Sequence, residues 1–366
     1  MPEPAFALAA LPVFDEGLIE CLEWSFDMGW GSTGRPAWVD ALLDEYSTAG
    51  WLLGHGVSYS LLGAHGNHQR WLRRLANEVD ERSYRWITEH VGFVGAGRFT
   101  FSAPMPMPMT RDVVALGVQR LRDIATIVDC PVGVENLATC LSTQDAVEQG
   151  RLVRDLLSPV DGILLLDLHN LWCQSLNCDV DIETLLTALP LDRVREIHLA
   201  GGRESSTASG RSLRRDTHDQ LVPPTLLELL ERVAPRCPNL EAVIYERLGT
   251  SLTDVAAHNA YRADLRTVSQ VVAGLPAPDP APVMTSPEAT LESSDGGLNP
   301  MPPSGRAMDQ MAQYQANLLD CLDRGRSHHE IEGELRNAAP QLAPDHMDDD
   351  LVEVAAQLTR TWGVLA

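Results

Sequence analysis

Residues 162–170, GILLLDLHN, are the stretch that best predicts the fold of this chain. Five apolar residues run without a break, and Asp167, His169 and Asn170 follow them. An uninterrupted aliphatic run beside a turn signal is typical of a strand buried on both faces of a parallel sheet. Ligands of α/β folds bind at the carboxyl ends of such strands, so these polar residues are candidates for a metal or catalytic cluster. A strand followed by an ordinary Asn/His turn is the alternative.

Length and composition are those of an ordinary globular protein and exclude several classes of partner. The 366 residues are 44% hydrophobic and 22% charged, enough for one large core and an appendage. The formal net charge of −23 disfavours a nucleic-acid partner. No apolar run approaches the length of about 18 residues that a membrane span needs, and the N-terminus lacks the basic region of a signal peptide. Seven cysteines without a CxxC pair fit a reducing compartment, so we expect a cytoplasmic protein.

The absence of lysine from the sequence narrows the possible chemistry. All 28 basic residues are arginine, which excludes Schiff-base catalysis, a pyridoxal phosphate linkage and a Walker A lysine. No GxGxxG motif follows a predicted strand either. We therefore expect any demanding chemistry to depend on a metal held by histidine and carboxylate side chains.

Short apolar segments alternate with helical patterns over about 275 residues, the length and rhythm of a (β/α)8 TIM barrel. The eight predicted strands are residues 6–11, 20–27, 51–58, 84–93, 131–138, 162–170, 194–202 and 240–247. The predicted helices are residues 36–47, 67–80, 110–128, 143–158, 223–233 and 252–273. A doubly wound sheet is the alternative. The barrel is favoured because polar residues occur at corresponding ends of many strands, and only a closed ring directs them all to one axis.

The composition changes after residue 274. Residues 275–305 are rich in Pro, Ser and acidic residues and are typical of a linker. Residues 308–322 and 351–362 are predicted to form amphipathic helices, with His328 and His329 between them. Because residues 276–366 hold 15 acidic residues against 5 arginines, we predict three domains: a barrel at 1–274, the linker, and a small acidic helical module at 306–366. That module either docks on a partner or is a solvated acidic tail.

Ten polar residues lie at or near predicted strand ends or in one polar loop. They are His55, His90, Glu135, Asp167, His169, Asn170, His198, Asp216, His218 and Glu246. A lone histidine on an apolar strand is usually an ordinary core residue. Carboxylates buried together without a cation, however, would each cost several kcal/mol, by a rough estimate, and few arginines are near. Histidine and carboxylate without thiolate suit iron, manganese or zinc, and so many donors imply more than one ion.

Eight short motifs occur in the order found in one known family. They are HGVS at 55–58, TEH at 88–90, PMP in the loop 102–109, GVENLA at 133–138, LLLDLHN at 164–170, EIHLAGG at 196–202, DTHD at 216–219 and YER at 245–247. In these motifs the chain resembles the DUF692 family of multinuclear non-heme iron-dependent oxidative enzymes, which includes the methanobactin-biosynthesis MbnB-type proteins. The resemblance covers about residues 5–270. Each motif alone is weak, and eight in sequence are strong.

The resemblance implies a TIM barrel that holds two or three iron ions in mixed Fe²⁺/Fe³⁺ states. The implied metal ligands are His55, His90, Glu135, Asp167, His198 and Glu246. It further implies that Asp216 and His218 bind another iron, with Asn170 or His169 contributing. Two positions depart from the common pattern, since the family often has Asn where His169 stands and His where Gly202 stands. The C-terminal segment lies outside the resemblance.

The activity implied by the resemblance is oxygen-dependent modification of cysteine residues in ribosomally made precursor peptides. A substrate thiolate would bind iron, and hydrogen would be removed from the cysteine Cβ at the expense of O2. Relatives usually act with a separate partner that recognises the leader peptide. The helical C-terminal segment is expected either to contact that partner or to replace part of it. Deletion of residues 276–366 should then weaken peptide binding and spare iron.

Two other classes of function fit the same residues. Sugar isomerases and apurinic-site endonucleases also place His, Glu and Asp around divalent metals in a barrel mouth, and their chemistry is redox-neutral. The net charge of −23 argues against a nuclease. A non-catalytic peptide-binding scaffold with a structural metal is the third possibility. Oxygen consumption that depends on a Cys-containing peptide would exclude the scaffold, and anaerobic turnover of a sugar with manganese or zinc would favour an isomerase.

Overall fold

A barrel of parallel strands occupies the centre of the computed structural model, which describes residues 4–30, 35–66, 68–276 and 300–365. The described strands are β1 (Leu22–Trp24), β2 (Leu52–Gly56), β3 (Ile87–His90), β4 (Phe99–Phe101), β5 (Val132–Glu135), β6 (Ile163–Asp167), β7 (Val194–Leu199), β8 (Glu204–Ser206), β9 (Ser212–Arg214), β10 (Ala242–Tyr245) and β11 (Val364–Leu365). The barrel order is β1-β2-β3-β5-β6-β7-β10, with every neighbouring pair parallel. The other four strands form two small antiparallel pairs, β8 with β9 and β4 with β11.

Helices surround the barrel and continue beyond it. They are α1 (Pro4–Asp15), α2 (Ala37–Ala49), α3 (His68–Glu81), α4 (Arg111–Ala125), α5 (Thr143–Leu157), α6 (Leu168–Cys178), α7 (Ile182–Ala188), α8 (Pro224–Val233), α9 (Val255–Gly274), α10 (Gly305–Asp323), α11 (His328–Ala338) and α12 (Asp349–Trp362). Side chains of Thr110, Ser142 and Asp254 accept hydrogen bonds from backbone N–H groups in the first turns of α4, α5 and α9. These caps explain why the helices begin directly after polar loop residues.

The strand register sets polar residues at one level of the barrel. His90 is the register partner of Glu135 on the next strand, and Asp167 is the partner of His198. Because residues at matching heights of parallel strands face the barrel interior together, the register alone brings these four side chains to one end. That end is the carboxyl end of the strands, where TIM-barrel sites lie.

The prediction of a TIM-barrel fold is confirmed, with one strand placed wrongly. Seven strands in the described residues form a nearly closed barrel, in which β1 and β10 are the two edges. Residues 6–11, predicted as the first strand, lie in α1. Ala9, Ala10 and Val13 of that helix are buried while Leu8 and Leu11 are exposed, a helical spacing of apolar contacts. α1 packs against α9, outside the barrel.

The C-terminal helices pack on the barrel helices through a continuous apolar core. Met311, Tyr314 and Leu318 of α10 belong to the same buried cluster as the barrel strands and helices. The buried Gln315 amide accepts a hydrogen bond from the Ala64 N–H at 3.0 Å and donates one to the Leu62 carbonyl at 2.7 Å. Most of the predicted linker, residues 277–299, lies outside the described residues. The division into three domains stays a prediction.

Among the described residues, no helix is both long enough and apolar enough to cross a lipid bilayer.

Candidate metal centre

Two imidazoles and one carboxylate meet at the ends of β2, β3 and β5. The Nε2 atoms of His55 and His90 each lie 3.1 Å from Oε2 of Glu135. His55 Nδ1 lies 2.9 Å from the hydroxyl oxygen of Thr88, which fixes the ring from behind. His55 and Glu135 are buried, and His90 is partly open to the cavity. Two imidazole nitrogens that face the same carboxylate oxygen are the arrangement expected of ligands that share one metal ion.

A second group lies beside the first and shares Glu135 with it. Donor atoms of Glu135, Asp167 and His198 lie within 4.8 Å of one another. His198 Nδ1 is also 3.2 Å from Oε2 of Glu246, which follows β10. Glu135 therefore stands between the two groups, where a carboxylate with two oxygens can bridge two ions.

A third group is formed by the loop after β9. His218 Nε2 lies 2.6 Å from Oδ1 of Asp216 and 3.6 Å from Oε2 of Glu246, so this loop joins the second group. Nδ1 of His169 lies 2.9 Å from the same Asp216 oxygen. His218 has a backbone φ of +51°, a left-handed conformation that is unusual for a side chain of this size. Such backbone strain is found at positions that the surrounding structure holds for function.

Two asparagines hold the carboxylates in place. Asp167 is the N-cap of α6, where its Oδ1 accepts a hydrogen bond from the Asn170 N–H at 2.7 Å. The Asn170 amide nitrogen donates to Oε1 of Glu135 at 3.0 Å. The Asn136 side chain bonds both the N–H and the carbonyl of Asp167, at 2.9 and 3.0 Å. Each carboxylate therefore keeps one fixed oxygen and presents the other to the centre.

The atoms that face the centre are buried and carry no hydrogen bond from any described residue. They are Oε2 of Glu135, Oδ2 of Asp167, Oδ1 of Asn170, Nδ1 of His198, Nε2 of His218 and Oε2 of Glu246. Several lie close to a neighbouring donor but at angles that a hydrogen bond does not allow. A buried polar atom without a partner costs about 1–3 kcal/mol, so six together require an explanation. Nitrogen and oxygen donors aimed at one volume fit a metal ion such as iron.

The pKa values of Asp167 and His55 are both raised, for different physical reasons. Burial, followed by the charges of Asp216 and Glu135, raises the pKa of the Asp167 carboxyl well above its usual range. Burial would lower the pKa of His55, but the carboxylates of Glu23 and Glu135 outweigh it and raise that pKa to about 9. In the protein alone, protons therefore have to neutralise a cluster of buried carboxylates. Metal ions would supply the same positive charge and release those protons.

Eight of the ten predicted residues converge through these direct contacts. Seven occur in the groups that could hold an ion, namely His55, His90, Glu135, Asp167, His198, His218 and Glu246. Asp216 joins them through His218. Asn170 faces the first group through its amide, and His169 reaches the third only through Asp216. The assignment of all ten as ligands stays a prediction.

Two carboxylates of the centre were not predicted. Oε2 of Glu23 on β1 lies 3.0 Å from Nε2 of His198, and Oε1 of Glu196 lies 3.4 Å from the same nitrogen. The Trp86 indole N–H donates to the other Glu196 oxygen at 2.7 Å. Alternation along a strand puts residues 196 and 198 on one face, a signal that would have found Glu196.

The imidazole of His169 occupies the space beside Gly202. A Cβ atom on Gly202 would lie 2.7 Å from Cε1 of His169 and 2.0 Å from the carbonyl oxygen of Arg215. The two positions at which the chain departs from the common motif pattern are thus in contact. A side chain at 202 would collide with the imidazole of His169 and with the backbone of Arg215.

A cavity of about 1310 Å³ opens from the centre. Its walls include His55, His90 and Glu246 together with side chains of α9 and α12. Residues of β1 and β10, the two edge strands of the barrel, line it as well. A volume of this size admits a peptide segment rather than only a small metabolite.

Comparison with known families gives the same result as the motifs. The sequence matches the family of RiPP precursor modification enzymes MbnB/TglH/ChrH over residues 32–267, well over half of the chain. The chain belongs to this family. RiPPs are ribosomally synthesised and post-translationally modified peptides, so the chain is an enzyme of a class that modifies RiPP precursors. The resemblance inferred from the eight motifs is confirmed, and α10–α12 lie outside the matched range.

Curated relatives share the matched region. A UPF0276 protein of Caulobacter vibrioides is 31% identical over 242 residues, which are 66% of this chain and 81% of that protein. A UPF0276 protein of Acinetobacter baylyi is 28% identical over 204 residues, 56% of this chain and 68% of that protein. Among solved structures, a xylose isomerase domain containing protein of Salmonella typhimurium covers 73% of this chain and 94% of its own, at 14% identity and a TM-score of 0.47. That structural likeness is too slight to bear on function.

Proposed function

We propose that this protein is an O2-dependent, multinuclear iron enzyme that modifies cysteine residues of a RiPP precursor peptide in the cytoplasm. The observation that carries the proposal is the convergence of buried nitrogen and oxygen donors around Glu135, several of them with no hydrogen-bond partner among the described residues. Membership of the RiPP-modifying family supports a peptide substrate. The assignments of iron as the metal, O2 as the co-substrate and cysteine as the modified residue are part of this proposal.

The donor set favours iron over a structural zinc. Among the described residues, the groups in the barrel that could hold an ion consist of imidazole and carboxylate side chains and include no cysteine. Sites of this composition with open positions suit non-heme iron, whereas structural zinc usually takes several thiolates. In the proposal, His55, His90 and Glu135 hold one ion, and Glu135, Asp167, His198 and Glu246 hold the next. Asp216 and His218, with His169 or Asn170, would hold a third.

The roles of the protein side chains follow from their positions. Bound iron supplies a ligand position for a cysteine thiolate and the capacity to use O2 for removal of hydrogen from the Cβ. Asn136 fixes the backbone of Asp167 and Asn170 fixes the Glu135 carboxylate, so both acidic residues would be held in position to bind metal. Thr88 holds the His55 ring through its Nδ1 and leaves Nε2 for the metal. Glu23 and Glu196 lie within reach of the His198 ring, where they can accept its proton.

The cavity supplies the substrate path. Phe101 of β4 lines it, as do Ala103 and Pro104 from the loop before α4. Leu351, Val354 and Leu358 of α12 line the part that we take as its outer part. A mostly apolar channel excludes water from the reacting thiolate while a peptide occupies it. We expect the leader region of the precursor, or a partner protein that carries it, to contact the outer part.

The exposed Trp362 at the end of α12 tests the outer part of this path. It lines the cavity although its side chain is 47% exposed, so Trp362→Ala removes contact area without opening the core. We expect precursor-peptide affinity to fall by about tenfold or more while iron content stays unchanged. Val255→Ala, at an exposed position that does not line the cavity, is the matched control. Equal affinities in the two variants would contradict a role for α12 in peptide binding.

Oxygen consumption is the direct test of the proposed reaction. The anaerobically purified, iron-loaded protein is mixed with a precursor peptide encoded near its gene, and O2 uptake is recorded with peptide mass. We expect uptake with the Cys-containing peptide and none with its Cys→Ser variant. Uptake that is indifferent to the cysteine would contradict the substrate assignment. Turnover without oxygen, on a peptide or on a sugar with manganese or zinc, would favour the redox-neutral alternative.

A further inference from the structure

A second cluster of metal-binding residues lies in the C-terminal helices, beyond the family match. His328 and Glu332 stand one helical turn apart on α11, and His346 precedes α12. One ligand atom from each of these three residues lies within 4.8 Å of the others. The barrel centre contributes none of them. The cluster is therefore separate from the site described above.

The inner half of this cluster is buried and fixed. His328 and Glu332 each have only 8% of their surface exposed. Oε1 of Glu332 accepts a hydrogen bond from the Met347 N–H at 2.7 Å and lies 3.8 Å from Nδ1 of His346. Buried carboxylate and imidazole groups are costly unless a partner compensates them. Side-chain movement of the exposed His346 would close the group to the roughly 3.3 Å spacing of donors around one small ion.

We propose that His328, Glu332 and His346 bind one divalent ion of the zinc class. Two imidazoles and one carboxylate are a ligand set that zinc accepts, with a fourth position left for water or for the neighbouring His329. Asp349, at the first turn of α12, is hydrogen-bonded to Nδ1 of His328. A carboxylate behind an imidazole fixes the ring and leaves its Nε2 for the metal, the arrangement found around many zinc ligands.

The proposed ion would connect two parts of the C-terminal helices and so affect how α12 is held. It would join α11 to the segment that leads into α12, a helix that lines the cavity. The Asp348 N–H donates to the Leu141 carbonyl at 2.9 Å, and the Ala208 N–H donates to Glu353 at 2.9 Å. Arg211 of the β8–β9 hairpin pairs with Asp348 and Asp350. The ion would thus hold the start of α12 against the loops that carry the barrel site.

Zinc binding to the iron-loaded, full-length protein tests the proposal. The protein is dialysed against buffered Zn²⁺, and zinc and iron are measured in the same sample. We expect the wild type to take up one more zinc per chain than Glu332→Gln or His346→Gln, with equal iron in all three. His346 is exposed, so its replacement spares the fold. His65→Gln, an exposed histidine outside both clusters, should bind zinc as the wild type does.

Two further readouts separate a built site from surface binding. Zinc should slow hydrogen exchange in residues 339–348 of the wild type and not in His346→Gln. Asp349→Asn should weaken zinc binding about 10- to 100-fold, as loss of a carboxylate behind a ligating imidazole does. Equal zinc uptake by the wild type and both ligand variants would overturn the proposal. Zinc that enters only in exchange for iron would overturn it as well.

Discussion

Gly202 gives the His169 imidazole its room next to Asp216. The site that a Cβ would fill at residue 202 is bounded by the ring of His169 and the carbonyl of Arg215. His169 itself is fully buried and is held by Asp216 at 2.9 Å. The glycine at 202 therefore leaves the His169 imidazole free to approach the third group.

Gly202→Ala is predicted to disturb this part of the centre. The new methyl group would lie 2.0 Å from a backbone oxygen, so the loop after β7 has to move and His169 with it. We expect loss of a fraction of the bound iron and a fall in unfolding free energy of about 1–3 kcal/mol. Elemental analysis and urea denaturation measure the two effects.

Gly274→Ala is the matched control, because no atom of the described residues lies within 4 Å of the Cβ position there. It should retain all of the iron and the stability of the wild type. If Gly202→Ala behaved in the same way, the described packing of His169 against residue 202 would be wrong.

The sequence identifies most of the centre because polar side chains interrupt otherwise apolar strands. Glu135, Asp167 and Glu246 stand where apolar runs end, which is a visible signal. Glu23 carries no such signal, since its strand is only three residues long and another carboxylate, Glu20, stands close by in the sequence. Its role depends on which face of β1 turns inward, and three-residue strands fix that face through tertiary packing rather than through pattern.

At the scale of elements, α3 begins with a buried histidine, His68, whose surroundings disfavour the protonated form of the imidazole. Burial, and after it the positive charge of Arg120, lowers the pKa of His68 to about 4 from its ordinary value of 6.5. The ring packs edge-on against Tyr59 and contacts the Gly63 carbonyl at 3.2 Å. The folded protein thus holds this imidazole neutral at pH values where the unfolded chain binds a proton.

Because the pKa of His68 is lower in the folded protein than in the unfolded chain, the free energy of unfolding decreases as the pH falls. Well above pH 6.5 the imidazole is neutral in both the folded and the unfolded state, and its stabilising contribution is complete. As the pH falls from 6.5 towards 4, the unfolded state gains the proton first, and unfolding free energy is lost, on the order of 3 kcal/mol. His68→Gln removes this term. We expect the difference in unfolding free energy, wild type minus His68→Gln, to fall between pH 7 and pH 4.5 in urea titrations; parallel curves would contradict the burial of a neutral imidazole.

The prediction of a strand at residues 6–11 was wrong because the segment is too short to distinguish a strand from a helix. A short apolar run fits a buried strand and one face of a helix equally well, and periodicity cannot separate them at six residues. Three of these six residues are alanine, the strongest helix former, and flanking residues extend the helix to Asp15. The other seven predicted strands each contain one of the observed barrel strands, and most of them are marked by a longer apolar run or by β-branched residues.

For the whole molecule, the C-terminal helices and the barrel share one core. Leu318 of α10 is fully buried in the cluster that also contains barrel residues. We expect Leu318→Ala to cost about 2–5 kcal/mol of unfolding free energy and to speed hydrogen exchange in β6 as well as in α10. Exchange that rises only in α10–α12 would show that these helices unfold as a separate domain.

Leu176→Ala provides the comparison for this experiment. Leu176 also lies in a helix, α6, but is 51% exposed. Its replacement should change the unfolding free energy by about 0.5 kcal/mol or less and leave exchange in β6 unchanged. For the same reason, deletion of residues 276–366 would uncover core side chains, and its effect on peptide binding could not be separated from its effect on folding.

The iron content per chain tests the central claim most directly. Elemental analysis is performed on anaerobically purified wild type beside Glu135→Ala, with circular dichroism to show that both are folded. Because Glu135 stands between two groups of donors, the wild type should hold two or three irons per chain and the variant should lose at least one. A wild type with less than one iron, or a Glu135→Ala protein with the full wild-type content, would contradict a shared metal centre in this barrel.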